Sequence, residues 1–261
     1  MFASHFFESR ILNTFNGITA VGAGNLFIAL FMSNPGNTGL QGIEVNYSGY
    51  ARQPIAFGVP YDESGGIGVK NTDALLWNPA PSDVGQARFI GIFDSATVGS
   101  GNMYLYGELT VPLDIRAGQQ PSIYTGDVLY FIHGDFSRHF MTAILNVLRN
   151  QNLNGFAPHM CLFDGDPEGT GIELSGGSYA RPAINFGAPV VQVGNQTQIE
   201  NTNIVRFPSP TTTWGTWAWS GIRDAASGGN LITKLPNAFT EVIHPNYVPQ
   251  LGVGDCRISL N

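Results

Sequence analysis

Gly49-Tyr50-Ala51-Arg52-Gln53-Pro54-Ile55-Ala56-Phe57-Gly58 returns about 130 residues later as Ser178-Tyr179-Ala180-Arg181-Pro182-Ala183-Ile184-Asn185-Phe186-Gly187, with Tyr, Ala, Arg, Ile, Phe and Gly in register. The match extends in both directions. Upstream, Ile11-Leu12-Asn13 recurs as Ile144-Leu145-Asn146, Leu30-Phe31 with Asn34-Pro35 as Leu162-Phe163 with Asp166-Pro167, and Ile43-Glu44-Val45 as Ile172-Glu173-Leu174. Downstream, Asn71-Thr72 recurs as Asn201-Thr202, Gly91-Ile92 and Asp94 as Gly221-Ile222 and Asp224, and Gly126-Asp127 as Gly254-Asp255. The order is collinear throughout. The chain of 261 residues therefore reads as two homologous domains, 1–134 and 135–261, rather than one fold of doubled size.

Each copy opens with a helical period. Phe7, Ile11 and Phe15 stand four apart with Leu12 alongside, and Asn16-Gly17 supplies a stop. Phe136, Phe140, Ile144 and Leu148 repeat that spacing after Asp135, which the pattern nominates as N-cap. The rest of each copy alternates short apolar runs with turn clusters such as Asn78-Pro79-Ala80-Pro81 and Ser227-Gly228-Gly229-Asn230. Recurrent short strands with no intervening helical period favour antiparallel packing over a parallel α/β sheet. The expected fold is mainly β: two tandem antiparallel β-sandwich-like domains, each preceded by one amphipathic α-helix.

Composition narrows the function classes. The chain is 43% hydrophobic but only 12% charged, about half the ~25% usual in soluble domains. A surface so poor in charge implies polar uncharged cover or burial against other subunits, so assembly is expected. Net charge is −7 and the only lysines are Lys70 and Lys234, which leaves no basic stripe for phosphates and argues against direct nucleic-acid binding. Apolar runs such as Leu26 to Met32 are far shorter than the ~20 residues of a membrane span. Glu8 and Arg10 interrupt the N-terminal apolar stretch, which does not read as a secretory signal and implies synthesis in a cytoplasm. The two cysteines, Cys161 and Cys256, are too few for a disulfide scaffold. They read as buried free thiols, with a single disulfide as the alternative.

Four groups of residues are candidates for chemistry. Strand alternation would put Tyr50 and Arg52 on one face, with Ala51, Ile55 and Phe57 on the core side, and likewise Tyr179 and Arg181 in the second copy. Those Tyr-Arg faces either brace the sheet, with the arginine pairing a carboxylate such as Asp94 or Asp224, or contact a neighbouring subunit. Trp217 and Trp219 share a face under the same alternation and would serve either core packing or stacking on a glycan. Asp164, Asp166 and Glu168 alternate in a glycine-rich loop that could ligate calcium but lacks EF-hand spacing; a solvated acidic turn is the plainer reading. The five histidines show neither metal-ligand spacing nor a paired nucleophile, and no phosphate loop or nucleophile elbow is present. No catalytic residue, metal site or cofactor is assigned.

The succession of helix, apolar strand, Asp/Asn-Pro turn, Ile-Glu-Val/Leu, Tyr-Ala-Arg, Asn-Thr, Pro-rich turn, Gly-Ile-x-Asp-x-Ala and Gly-Asn-Leu/Met resembles the small β-rich structural proteins of tailed bacteriophages, the tail fibre-like or minor tail proteins. These often hold a single copy, and here the resemblance covers both halves. The second matches more fully, through Gly221-Ile222-Arg223-Asp224-Ala225-Ala226 and Gly228-Gly229-Asn230-Leu231; the first has Phe93 where the second has Arg223. The resemblance implies a non-enzymatic virion component in the tail fibre, baseplate or neck, a trimer or hexamer bound to other virion proteins. Alternatives are a capsid decoration protein, a glycan-binding receptor module or a polysaccharide-degrading enzyme.

Overall fold

The computed structural model describes residues 1–63, 65–193 and 196–260. The architecture is mainly β, with two α-helices among the described residues, α1 (His5–Leu12) and α2 (Arg138–Val147). The principal strands of the first copy are β1 (Leu26–Phe31), β2 (Gln53–Ile55), β3 (Gly66–Lys70), β4 (Gly85–Phe93), β5 (Met103–Ile115) and β6 (Leu129–Ile132). Those of the second are β7 (His159–Phe163), β8 (Thr197–Glu200), β9 (Gly215–Arg223), β10 (Leu231–Ile243) and β11 (Arg257–Ser259).

All sheet pairings among these strands are antiparallel. One sheet of the first copy runs Phe2–Ala3, β5, β4, β1, β2, and β6 pairs with β3 in another. The second copy repeats this as β7, β9, β10 and as β8 with β11. Even the register repeats: Ile28 faces Ile92 and Ala29 faces Gly91, as Met160 faces Ile222 and Cys161 faces Gly221. Both long hairpins also slip at the same two places. At the larger slip, residues 109–112 of β5 and 237–240 of β10 bulge out of the ladder, leaving Val111 73% and Phe239 86% exposed.

Each helix is started by a serine. Ser4 Oγ accepts the N–H of Phe7 (3.2 Å) and Ser137 Oγ that of Phe140 (3.1 Å). Asp135 is not the N-cap. The side chain that reaches the third helical residue is that of Ser137, and the Asp135 carbonyl accepts the Lys234 N–H instead (2.7 Å). Gly17, with φ of 76°, closes the first helical segment, and Asn150, at φ 60°, holds the matching position after α2.

The apolar helix faces dock across the repeat. α1 packs on β5 of its own copy and on β8 and β11 of the other, while α2 packs on β10 and on β3. The two copies also exchange backbone hydrogen bonds, Ala20 N–H to the Leu153 carbonyl and Leu153 N–H to that of Ala20, both 2.9 Å. Glycine makes this approach feasible. A Cβ on Gly22 would sit 2.4 Å from the Asn150 carbonyl carbon, and one on Gly155 would sit 2.1 Å from that of Gly17. Phe15 meets the rings of Phe140, Phe156 and Phe186 at this junction, so one hydrophobic core runs through both copies. No helix among the described residues is long and apolar enough to cross a membrane.

Candidate functional site

The strand expected through Tyr50-Ala51-Arg52 begins only at Gln53. Tyr50 closes a turn onto the Tyr47 carbonyl (2.9 Å), so alternation cannot be counted across it. Ile55, Phe57, Ile184 and Phe186 are buried as expected, but Ala51 and Ala180 face solvent. The turn also explains why the glycine shifts between copies. Gly49 (φ 93°) and Ser178 (φ 72°) hold the same left-handed position. Gly177 is needed because a Cβ there would lie 2.1 Å from Thr211 Oγ1.

The turn aims Arg52 inward, where its side chain is 1% exposed. Its Nε and Nη2 donate to Glu44 Oε1 and Oε2, both at 2.8 Å, and Nη1 donates to the carbonyls of Ser95 (2.9 Å) and Ser100 (2.8 Å). Arg181 repeats this on Glu173 (2.6 and 2.7 Å) and on the carbonyls of Ala225 (2.9 Å) and Gly228 (2.7 Å). The carboxylate partners are Glu44 and Glu173, not Asp94 and Asp224. Those aspartates close the adjacent loops, each accepting both the backbone and side-chain N–H groups of Asn102 or Asn230. Tyr50 and Tyr179 complete the unit: each hydroxyl accepts a strand N–H, from Leu30 (3.0 Å) or Leu162 (3.2 Å), and donates to Glu44 (3.4 Å) or Glu173 (3.1 Å). Burial holds both phenols well above their usual range.

The Phe93/Arg223 difference now has a physical meaning. The Arg52 guanidinium lies 4.0 Å from the centroid of Phe93. In the second copy Arg223 stands there and shares Glu173, its Nε 3.3 Å from Oε2. Asn71 and Asn201 are pins of a similar kind: Asn71 Nδ2 donates to the carbonyls of Asp73 (2.8 Å) and Tyr124 (3.0 Å) and its Oδ1 accepts from Val128 N–H (2.8 Å). Asn201 does the same with Asn203, Gly252 and Cys256. Sequence reasoning missed Glu44 and Glu173, although a lone acid between two apolar residues in both copies marked them.

Trp217 and Trp219 do not share a face, because the slip in β9 falls between them. Trp217 packs against the core, and its Nε1 donates to Ser220 Oγ (3.1 Å), which donates to Asn237 Oδ1 (2.9 Å). Trp219 lies opposite Phe163, with Lys234 Nζ 5.7 Å from its ring centroid. Lys234 also occupies the acidic loop, at 2.8 Å from Asp166 and 3.1 Å from Glu168. Desolvation raises Asp166, but the hydrogen bond and charge of Lys234 outweigh it and hold the carboxyl below its usual range. Asp164 accepts the Ile172 N–H, so one of the three carboxylates closes the turn while the other two share Lys234. Both cysteines are free thiols; burial pushes Cys161 up to about 12 and Cys256 to about 11.

A doubled β-rich unit whose shared motifs each hold a turn, loop or strand end defines a repeat-built β protein. Comparison then supplies the family. The family model described as podophage GP4 fiber I protein gp80 matches the chain twice, over residues 3–130 and 135–259, and the chain belongs to that family of phage fibre proteins. No curated protein matches it. A fibre family is one of virion components, in keeping with the phage resemblance of both halves.

Proposed function

We propose that this protein is a non-enzymatic, tail-associated building block of a phage particle, working as a homo-oligomer in contact with other virion proteins. The observation that carries the reading is the fibre-family match over both copies. The site geometry supports it: the motifs common to the copies lie in clamps that fix the loops at 94–102 and 224–230. The part that Tyr50, Arg52, Tyr179 and Arg181 play in assembly is then indirect, by holding surface loops in one shape. The two copies act as interlocked units meeting near residue 134, since each helix is seated partly on the other copy.

Cryo-electron microscopy of intact particles tests this. Density for the chain on the tail apparatus, in symmetric rings or fibres, is the expected result. Its presence on tail-less heads would instead make it a capsid decoration protein. Release of reducing ends from host envelope polysaccharide by the purified chain, abolished by one carboxylate substitution, would overturn the non-enzymatic reading.

A further inference from the structure

An open pocket of about 980 Å³ lies against the β9–β10 hairpin of the second copy. Buried Met160, Ile222 and Ile258 form its inner side, Trp217 lines it, and the bulged segment at 237–240 borders it. Its size is at the upper end of the ~300–1,000 Å³ of small-ligand sites. The indole is fixed from both strands through Ser220 and Asn237, so it is presented as a rigid surface. A comparison between the copies shows that the aromatic has moved. In the first copy Ala87 stands at the position of Trp217 and Tyr130 at that of Ile258, with Tyr130 only 1% exposed. The ring that fills the core there is absent here, and a half-buried indole that rests on the core lines the pocket instead.

We propose that this pocket binds a saccharide, with the indole of Trp217 as its stacking platform. A sugar ring offers an apolar C–H face and a rim of hydroxyls. The pocket is lined by an indole and aliphatic side chains together with the amide of Asn237 and the carboxylates of Glu241 and Asp255. Those three groups each accept one hydrogen bond within the chain, from Ser220, Tyr247 and the Gly252 N–H, and have further acceptor positions for hydroxyls. Phosphate and other anionic ligands fit poorly, because the lining cations Lys234 and Arg257 are already paired with Asp166, Glu168 and Glu200. Trp219 is not part of the site, since the β9 slip separates it from Trp217. That the saccharide comes from a host envelope rests on the function proposed above; the pocket rests on its own geometry.

The test uses the full chain on an array of bacterial O-antigen and capsular polysaccharides, with binding confirmed by saturation-transfer NMR. Trp217→Ala is expected to weaken binding about tenfold or more, and Trp219→Ala to leave it unchanged. Because Trp217 touches the core, a second variant is needed. Ile258→Tyr installs the residue of the first copy, fills the pocket, and is expected to abolish binding while the far-UV spectrum and melting cooperativity are retained. Absence of binding across the array, loss of binding in Trp219→Ala alone, or full binding by Ile258→Tyr would each overturn the site. A silent array with the protein located on the tail rejects the pocket and leaves the virion role standing; binding by a protein absent from particles does the reverse.

Discussion

Replacing Arg52 by alanine tests the clamp directly. The pair is enclosed, with side-chain exposures of 1% for Arg52 and 9% for Glu44. Truncation removes a bidentate ion pair and leaves the Glu44 carboxylate with a single weak donor, the Tyr50 hydroxyl at 3.4 Å. Breaking one partner of a buried pair costs roughly 3–5 kcal/mol, mostly from the charge left behind. For a chain of this size each kcal/mol moves Tm by roughly 2–4 °C, so R52A is expected to melt roughly 6–20 °C lower. R181A should cost less, roughly 1.5–3 kcal/mol, because its pair is more open at 10% and 19% and Arg223 remains beside Glu173. Removing both charges together, as E44Q/R52M, should recover part of the loss and give a coupling energy of up to roughly 3 kcal/mol in a double-mutant cycle. Differential scanning calorimetry and light scattering on the same samples decide the matter. If R52A and R181A leave Tm unchanged but abolish oligomers, the guanidinium groups work between subunits and the internal clamp is refuted.

Two further outcomes follow from the junction between the copies. Glu8 of α1 is buried and hydrogen-bonded to Thr197 of β8, and desolvation raises its pKa. A carboxyl raised on folding favours the native state below its unfolded pKa, and that contribution is lost as pH rises through the folded value. E8Q should therefore melt higher than the parent at pH 7, with the gap closing as pH falls through the Glu8 titration; a gap independent of pH would count against a buried charge. A protease site inserted between the exposed His133 and Gly134 should yield two fragments that still co-elute on size exclusion and part only in denaturant. Separation under native conditions would contradict the exchange of helices.

Much of this fold is legible in the sequence for physical reasons. Four-residue apolar spacing gives both helices, Gly17 ends the first, and the paired Ile55/Phe57 and Ile184/Phe186 mark core-facing positions. The failures share a cause, which is that period-two counting assumes an unbroken strand. Tyr50 sits in a turn, and Trp217 and Trp219 straddle a slip, so each count was carried across a break it could not see. The choice of Glu44 over Asp94 follows from the same turn, which points Arg52 back toward β1. The docking of each helix was unreadable for a different reason. An apolar stripe specifies what it needs to bury against but not which copy supplies it, and two homologous copies offer nearly the same surface.

That ambiguity explains what a tandem chain gains. A helix seated on a neighbouring copy would otherwise need a second molecule, whereas a connection through residues 133–135 makes the exchange intramolecular, with an effective concentration in the millimolar range. Once the copies are tied, they no longer have to remain equivalent. Buried Glu8 in α1 corresponds to buried Met141 in α2, and Phe93 beneath one clamp corresponds to Arg223 beside the other. At the hairpin the divergence reaches the surface, where the Ala87/Tyr130 pair of the first copy becomes Trp217/Ile258 around an open pocket in the second. The shared clamps close a loop in each copy with the same arginine, glutamate and tyrosine while this occurs, although the loop is two residues shorter in the second, so the second copy can take on the proposed saccharide pocket without loss of the common core.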